Sequence, residues 1–250
     1  MSILNSTAAI LRLMSSLKRG VTVTDLVEHL QFPKSTASRV LKQLAEAGFL
    51  ERDASSLAYQ PGLMLLEVTH LVRRNSSLTD LIEQALRELC ASTGHTGYLS
   101  VLDGNDVLVL RVLPGLHALR VIRNAGSRSP AWGTSTGRAL LARLPDTQLN
   151  AQFRAVLSPA NDLPMHFTQL MDRLAVVRRC HWASAVNEAV AGAASVSCAV
   201  GDPHSGETVA FCLTFPSSMA DDAEIQRLSR LLCAAAAQIG KKVGDPYWFR

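Results

Sequence analysis

The chain has no Cys-x-x-Cys pair, no His-x-x-x-His pair and no apolar run long enough to cross a bilayer, and no secretory leader is expected. Its five cysteines (Cys90, Cys180, Cys198, Cys212, Cys233) are scattered and odd in number. That usage fits reduced thiols in a cytoplasm and argues against a zinc ribbon. The seven histidines (His29, His70, His95, His117, His166, His181, His204) cluster neither with one another nor with cysteine, so neither a metal site nor a cofactor is expected. The amino terminus lacks a basic stretch followed by an uninterrupted apolar one. The alanine-rich run 231–239 falls short of the roughly 18 residues a span requires and reads as a packed helix. Charged residues make up only 18% and hydrophobic ones 48%, which excludes long disorder. Repeats and low-complexity tracts are missing too. The expectation is a soluble, cytoplasmic protein that engages no membrane.

At 250 residues there is room for two domains. A net charge of +4 is compatible with a polyanionic partner, but its distribution matters more than its sum. The informative stretch is Lys34-Ser35-Thr36-Ala37-Ser38-Arg39-Val40-Leu41-Lys42-Gln43-Leu44. Ala37, Val40, Leu41 and Leu44 form an apolar stripe at helical spacing. Ser35, Ser38, Arg39 and Lys42 fall opposite, with Thr36 and Gln43 at the margins, and no carboxylate occurs from Gln31 through Ala45. A helix that buries one stripe and offers hydroxyls, an amide and cations on the other suits a DNA major groove. A charged face is otherwise simply a solvated one, and the flanking elements decide between the two.

Ile10, Leu13, Met14 and Leu17 predict a helix over 3–17 that stops before Gly20. A second helix, 24–30, is capped by Thr22 or Thr24 and buries Leu26, Val27 and Leu30. Pro33 stands at the start of the third helix and Gly48 at its end. Two short strands, 49–52 and 57–60, follow around a turn at 53–56. This order is a winged helix-turn-helix, whose recognition helix lies in the major groove while the wing reaches the neighbouring backbone. Residues 63–74 predict a helix that is apolar around most of its circumference. Such a helix must be covered on several sides, which predicts a dimer partner.

Beyond residue 76 the pattern changes. A helix is predicted at 77–93, then strands at 98–102, 107–113 and 118–123. Helices follow at 136–144, 147–157 and 164–179, strands at 193–200 and 208–215, and a last helix at 221–243. Glu188 follows strand-like residues, whereas 129–132 make a poor strand. Hairpin strands with helices grouped between and after them give an α+β domain around a mainly antiparallel sheet.

The chain resembles the IclR family of bacterial transcriptional regulators over essentially its whole length. The first matching segment runs from Pro33 to Leu41 with the trailing Leu44-Ala45-Glu46-Ala47-Gly48-Phe49-Leu50. The second is Pro130-Ala131-Trp132-Gly133-Thr134-Ser135-Thr136-Gly137-Arg138-Ala139-Leu140-Leu141-Ala142, and the third Trp182-Ala183-Ser184-Ala185-Val186-Asn187-Glu188 on to Gly192-Ala193-Ala194-Ser195-Val196. The resemblance implies a GAF-like carboxy-terminal domain that binds a small effector, such as an organic or aromatic acid. It also implies homodimers, often paired into homotetramers, on a pseudo-palindromic operator. The expected organisation is a DNA-binding domain at 1–61, a linker and dimerisation helix at 62–75, and an effector domain at 76–250. The pocket positions it implies are Val121, Trp132, Ser135, Thr136, Ala185, Ala193, Ser195, Cys212 and Thr214. The chain departs from the family pattern in having Cys198-Ala199-Val200 where a proline commonly ends the penultimate strand. It also has small Ala185 and Ala193 at pocket positions where some members place acidic or large residues.

For DNA, Arg39 and Gln43, with Ser35 and Ser38, are candidates for base edges. Lys18, Arg19, Lys34, Lys42 and Arg52 are candidates for phosphates. Gly133-Thr134-Ser135-Thr136-Gly137 also matches the G-x-S-x-G elbow of serine hydrolases, which requires a strand before it and a helix after it. Its triad partners would be Asp202 with His204, or Asp172 with His181. An esterase using Ser135 is therefore the alternative to a regulator, and a dimeric ligand-binding module that no longer binds DNA is a third reading. In the regulator, the same glycines let the loop approach a ligand and the helix start offers N–H groups to an anion. Arg138 then pairs with either a ligand carboxylate or a protein acid, and Glu188 serves a ligand hydroxyl or local backbone.

Overall fold

The computed structural model describes residues 3–17, 19–67, 77–116 and 123–249. The chain divides into two compact units, Met1–Ser76 and Ser77–Arg250.

In the first unit α1 (Ile3–Leu17), α2 (Val23–Leu30) and α3 (Lys34–Glu46) precede an antiparallel hairpin of β1 (Leu50–Arg52) and β2 (Tyr59–Pro61). Thr22 rather than Thr24 caps α2. Its hydroxyl accepts from the Asp25 amide at 3.2 Å, and the Asp25 carboxylate accepts from the Thr22 amide at 2.7 Å. This reciprocal box satisfies two amides left over at the helix start. Arg19 donates to both Asp25 oxygens at 2.7 and 2.9 Å, and together with the Thr22 bonds it holds the carboxyl far below the usual carboxylate range. The core gathers Ile10, Leu13 and Met14 from α1, Leu26 from α2, the expected stripe of α3, and Leu50 and Tyr59 from the hairpin. Val27, expected inside, is 38% exposed, because so short a helix turns only a narrow stripe inward. The wing strands begin one to two residues later than expected. Asp53 builds their turn by accepting from the Ser55 and Ser56 amides at 3.0 and 2.7 Å. Residues 63–67 are helical, with Leu63 and Leu66 exposed. The remainder of the expected 63–74 helix lies outside the described residues.

In the second unit α4 (Ser77–Thr93) leads into β3 (Thr96–Asp103), β4 (Asp106–Leu113) and β5 (Arg128–Pro130). Then come α5 (Ser135–Leu141), α6 (Asp146–Phe153), α7 (Phe167–Cys180), β6 (Ala183–Val186), β7 (Ala193–Gly201), β8 (Thr208–Pro216) and α8 (Asp222–Val243). Among the described residues six strands form one antiparallel sheet in the order β5-β4-β3-β8-β7-β6, as an α+β domain requires. Side chains alternate across it. Val196, Cys198 and Val200 of β7 and Phe211, Leu213 and Phe215 of β8 pack with α4 and α8. Ala199 and Ala210 pack on the opposite side with α5, α6 and α7. The poor strand 129–132 is corrected in part: Ser129 and Pro130 belong to β5, which pairs with β4 at the sheet edge, where a proline is tolerated. The expected strand at 118–123 lies outside the described residues except for Arg123, which is not in a strand.

Candidate functional site

The solvent face of α3 carries the residues read as DNA contacts. Lys34, Ser35, Ser38, Arg39, Lys42 and Gln43 are exposed and Thr36 is half-buried, while Ala37, Val40, Leu41 and Leu44 anchor the helix beneath. The first carboxylate on the helix is its last residue, Glu46, which meets Lys42 at 3.7 Å in an exposed pair, so the face stays cationic over its first three turns. Arg52 is exposed on β1, its guanidinium 5.6 Å from the Tyr59 ring across the hairpin. Arg19, another phosphate candidate, has a half-exposed side chain whose guanidinium donates to Asp25 and the Gly20 carbonyl. Lys18 lies outside the described residues.

The second unit holds a cavity of about 90 Å³ between the start of α5, the sheet and the loop from β6 to β7. That is several times the ~10–15 Å³ a single water needs. Of the residues expected there, Ser135, Thr136, Ala185, Ala193, Ser195, Cys212 and Thr214 line it. Trp132 does not. It is half-buried against the α5–α7 core, and its carbonyl accepts from Arg138 at 3.2 Å. Val121 lies outside the described residues. Tyr98, Ser100, Val107, Val109, Arg123, Ser129, Thr134, Ala189, Val190 and Ala194 also line the cavity and were missed, while Glu188, weighed for a ligand hydroxyl or local backbone, lines it too. Strand register, which becomes visible only in the folded sheet, brings some of them in. Tyr98 and Ser197 both lie opposite Cys212, and Thr96 and Ser195 both lie opposite Thr214, so one row of the sheet face points at α5.

A chain of hydroxyls ties the start of α5 to β7 behind a largely apolar cavity wall. Ser135 Oγ lies 2.7 Å from Ser195 Oγ and 2.7 Å from Ser197 Oγ, and Thr136 Oγ1 lies 3.2 Å from Ser197 Oγ. Thr134 caps α5 by accepting from the Gly137 amide at 2.9 Å, which occupies one N–H expected to serve an anion. Gly137 is required by close packing rather than by a ligand: a Cβ there would stand 2.0 Å from the Ala131 carbonyl oxygen. Burial pushes the Cys212 thiol up. Arg138, 2% exposed, pairs with Glu188 at 2.8 and 3.3 Å and donates to the Ser184 carbonyl at 2.6 Å. Burial lowers its guanidinium below the usual value while Glu188 pushes it back up. Arg173 reaches the same carboxylate at 2.7 Å. The partner of Arg138 is thus a protein acid, and Glu188 is held by two arginines at the cavity rim.

The hydrolase geometry is not assembled. Among the described residues Ser135 Oγ is engaged by two serine hydroxyls and by no imidazole. His204 lies in the exposed β7–β8 turn, where the Asp202 carboxylate accepts from its backbone amide at 2.8 Å, and the His181 ring packs on Tyr247. Among the described residues no three metal-ligating side chains converge, and no helix is long and apolar enough to cross a membrane.

A winged helix-turn-helix unit joined to an α+β unit with its own cavity defines the class of two-unit transcriptional regulators. Residues 7–54 match the IclR helix-turn-helix domain, and residues 70–241 match the family described as bacterial transcriptional regulator IclR C-terminal. The chain belongs to the IclR family, whose members are transcriptional regulators and not enzymes. It is 27% identical to the HTH-type transcriptional regulator XynR of Escherichia coli (strain K12) over 95% of each chain. It is 31% identical to KipR of Bacillus subtilis (strain 168) over 55% of this chain and 54% of that one. The crystal structure of an IclR regulator from Alicyclobacillus acidocaldarius superposes with a TM-score of 0.81 at 22% identity, covering 96% of this chain and 97% of that one. An IclR homologue from Microbacterium hydrocarbonoxydans, solved in complex with 4-hydroxybenzoate, has a TM-score of 0.73 at 23% identity, covering 97% and 99%.

Proposed function

We propose that the protein is a ligand-responsive regulator that binds a pseudo-palindromic operator as a dimer or a pair of dimers, under control of a small organic or aromatic acid. On this reading residues 1–61 are the DNA-binding domain, 62–75 the linker and dimerisation helix, and 76–250 the effector domain. The observation that carries the reading is the exposed, cationic face of α3, free of carboxylates until Glu46, in a chain that also holds a cavity. Arg39, Gln43, Ser35 and Ser38 read base edges; Lys34, Lys42 and Arg52, with Thr36 at the margin, contact the backbone. Exposed Leu63, Met64 and Leu66 supply apolar surface for a second copy.

The effector occupies the cavity against Ser135, Thr136, Ser195, Thr214 and Cys212, with Ala185 and Ala193 leaving room. Arg123, the one cavity cation among the described residues, and the net positive Arg138–Glu188–Arg173 cluster favour an anion. The complex of a relative with 4-hydroxybenzoate supports an aromatic acid as first candidate. Binding shifts the population of arrangements that hold two recognition helices at operator spacing. A protein working on chromosomal DNA acts in the cytoplasm. The test is a gel shift on the chain's own upstream region at two salt concentrations, with and without acids first selected by thermal shift. Salt-sensitive binding modulated by an acid is expected. Absence of any sequence-selective shift would leave a ligand-binding module without DNA function.

A further inference from the structure

Cys198 on β7 and Cys233 on α8 bring their sulfurs to 3.7 Å. Their near neighbour is Cys180 at the end of α7, whose carbonyl lies 4.0 Å from Cys233 Sγ. The two positions are not equivalent. Cys198 is fully buried, whereas Cys233 is only partly buried. Ala236, one turn along the same helix, presents little bulk to the sheet, so α8 can lie close to β7. A disulfide needs the sulfurs to approach by roughly another 1.7 Å.

We propose that Cys233 and Cys198 form an oxidation site for hydroperoxides that ends as an intramolecular disulfide between α8 and β7. Cys233 is the attacking sulfur, because it is only partly buried whereas Cys198 is fully buried, and its contact with the Cys198 sulfur lowers its pKa. Burial keeps Cys198 protonated until it is needed. The Cys233 thiolate attacks a peroxide oxygen; the S–O bond forms, the O–O bond breaks, and the departing hydroxide or alkoxide takes a proton from water. The Cys198 sulfur then attacks the sulfenic sulfur. The S–S bond forms, the S–O bond breaks, and hydroxide leaves with the Cys198 proton as water. The peroxide gains the two electrons that the thiol pair loses. Ser197, adjacent to Cys198, faces the opposite side of β7 and holds Ser135 and Thr136, so a crosslink pulling β7 toward α8 bears on the cavity wall.

The test treats the folded, reduced full-length protein with hydrogen peroxide, counts thiols and maps peptides under non-reducing conditions. The expected result is a fall from five free thiols to three and a single Cys198–Cys233 linkage that dithiothreitol reverses. Cys198→Ser should stop at a Cys233 sulfenate trapped by dimedone. Cys233→Ser should leave Cys198 unreacted. The wild-type mapping needs no variant, so a folding defect in either serine protein leaves the test intact. Five thiols surviving in the folded protein while the urea-unfolded chain oxidises, a Cys180–Cys233 linkage, or crosslinks between chains would each overturn the proposal.

Discussion

Replacing Glu188 by glutamine removes the countercharge of Arg138 while keeping nearly the same shape. Arg138 is 2% exposed and its guanidinium meets Glu188 at 2.8 and 3.3 Å. Removing one partner of a fully buried pair costs about 3–5 kcal/mol, because the remaining charge stays desolvated. Two features reduce that here. Glu188 is 30% exposed, and Arg138 retains the carbonyls of Trp132 and Ser184 at 3.2 and 2.6 Å. The expected loss is about 2–3 kcal/mol, roughly one mid-sized core truncation. Arg138→Met should cost less on the charge account, since Glu188 keeps the half-exposed Arg173 at 2.7 Å. The double variant should then lose less than the sum of the two singles by at least about 1 kcal/mol. Urea denaturation of the four proteins, repeated at high salt, measures this coupling. A largely buried pair should hold its coupling as salt rises, whereas exposed pairs are screened. A Glu188→Gln protein within about 0.5 kcal/mol of the parent, or an additive cycle, would refute the reasoning.

Asp25→Asn should destabilise the winged unit by about 2 kcal/mol at pH 7 through loss of the Arg19 fork and the charged half of the capping box. Because the folded Asp25 pKa is depressed, its contribution is present above the unfolded value of about 3.9 and is lost as pH falls through the lower folded value. The gap between parent and variant in urea titrations should therefore narrow on acidification, and a constant gap would count against it. Arg39→Ala should relax one base position of the selected binding site at a cost of about 1–3 kcal/mol. Lys42→Ala should weaken all sequences alike and reduce the salt slope by about 1; an unchanged site preference in the first variant would remove Arg39 from base readout. Ala193→Leu should fill the cavity and abolish the thermal shift with aromatic acids while leaving DNA binding intact. An undiminished shift would move the ligand elsewhere.

The winged unit was legible almost residue by residue. Its stripe of Ala37, Val40, Leu41 and Leu44, the Pro33 start and the hairpin turn all act over a few residues. Two details escaped for reasons of packing. Val27 faces solvent because a short helix buries a narrow stripe, and Arg19 turns to Asp25 because that carboxylate was already fixed at the helix start. In the second unit the elements were visible but their pairing was not. Tyr98, Ser100, Val107 and Val109 entered the cavity through strand register, which no local pattern encodes.

The sequence by itself determined where the helices and most strands begin and end, which face of α3 carries cations, and which family the chain resembles. Caps, turn residues and hydrophobic period are short-range and survive in the unfolded chain's own order. Only the tertiary structure decided that Arg138 belongs to Glu188, 50 positions away, that Ser135 meets Ser197 across 62, and that Cys198 faces Cys233 across 35. Those contacts exist because a sheet register and the packing of helices on its two sides bring distant segments together. The chemistry of the cavity is therefore a property of the fold, while the DNA-facing helix is already written in eleven consecutive residues.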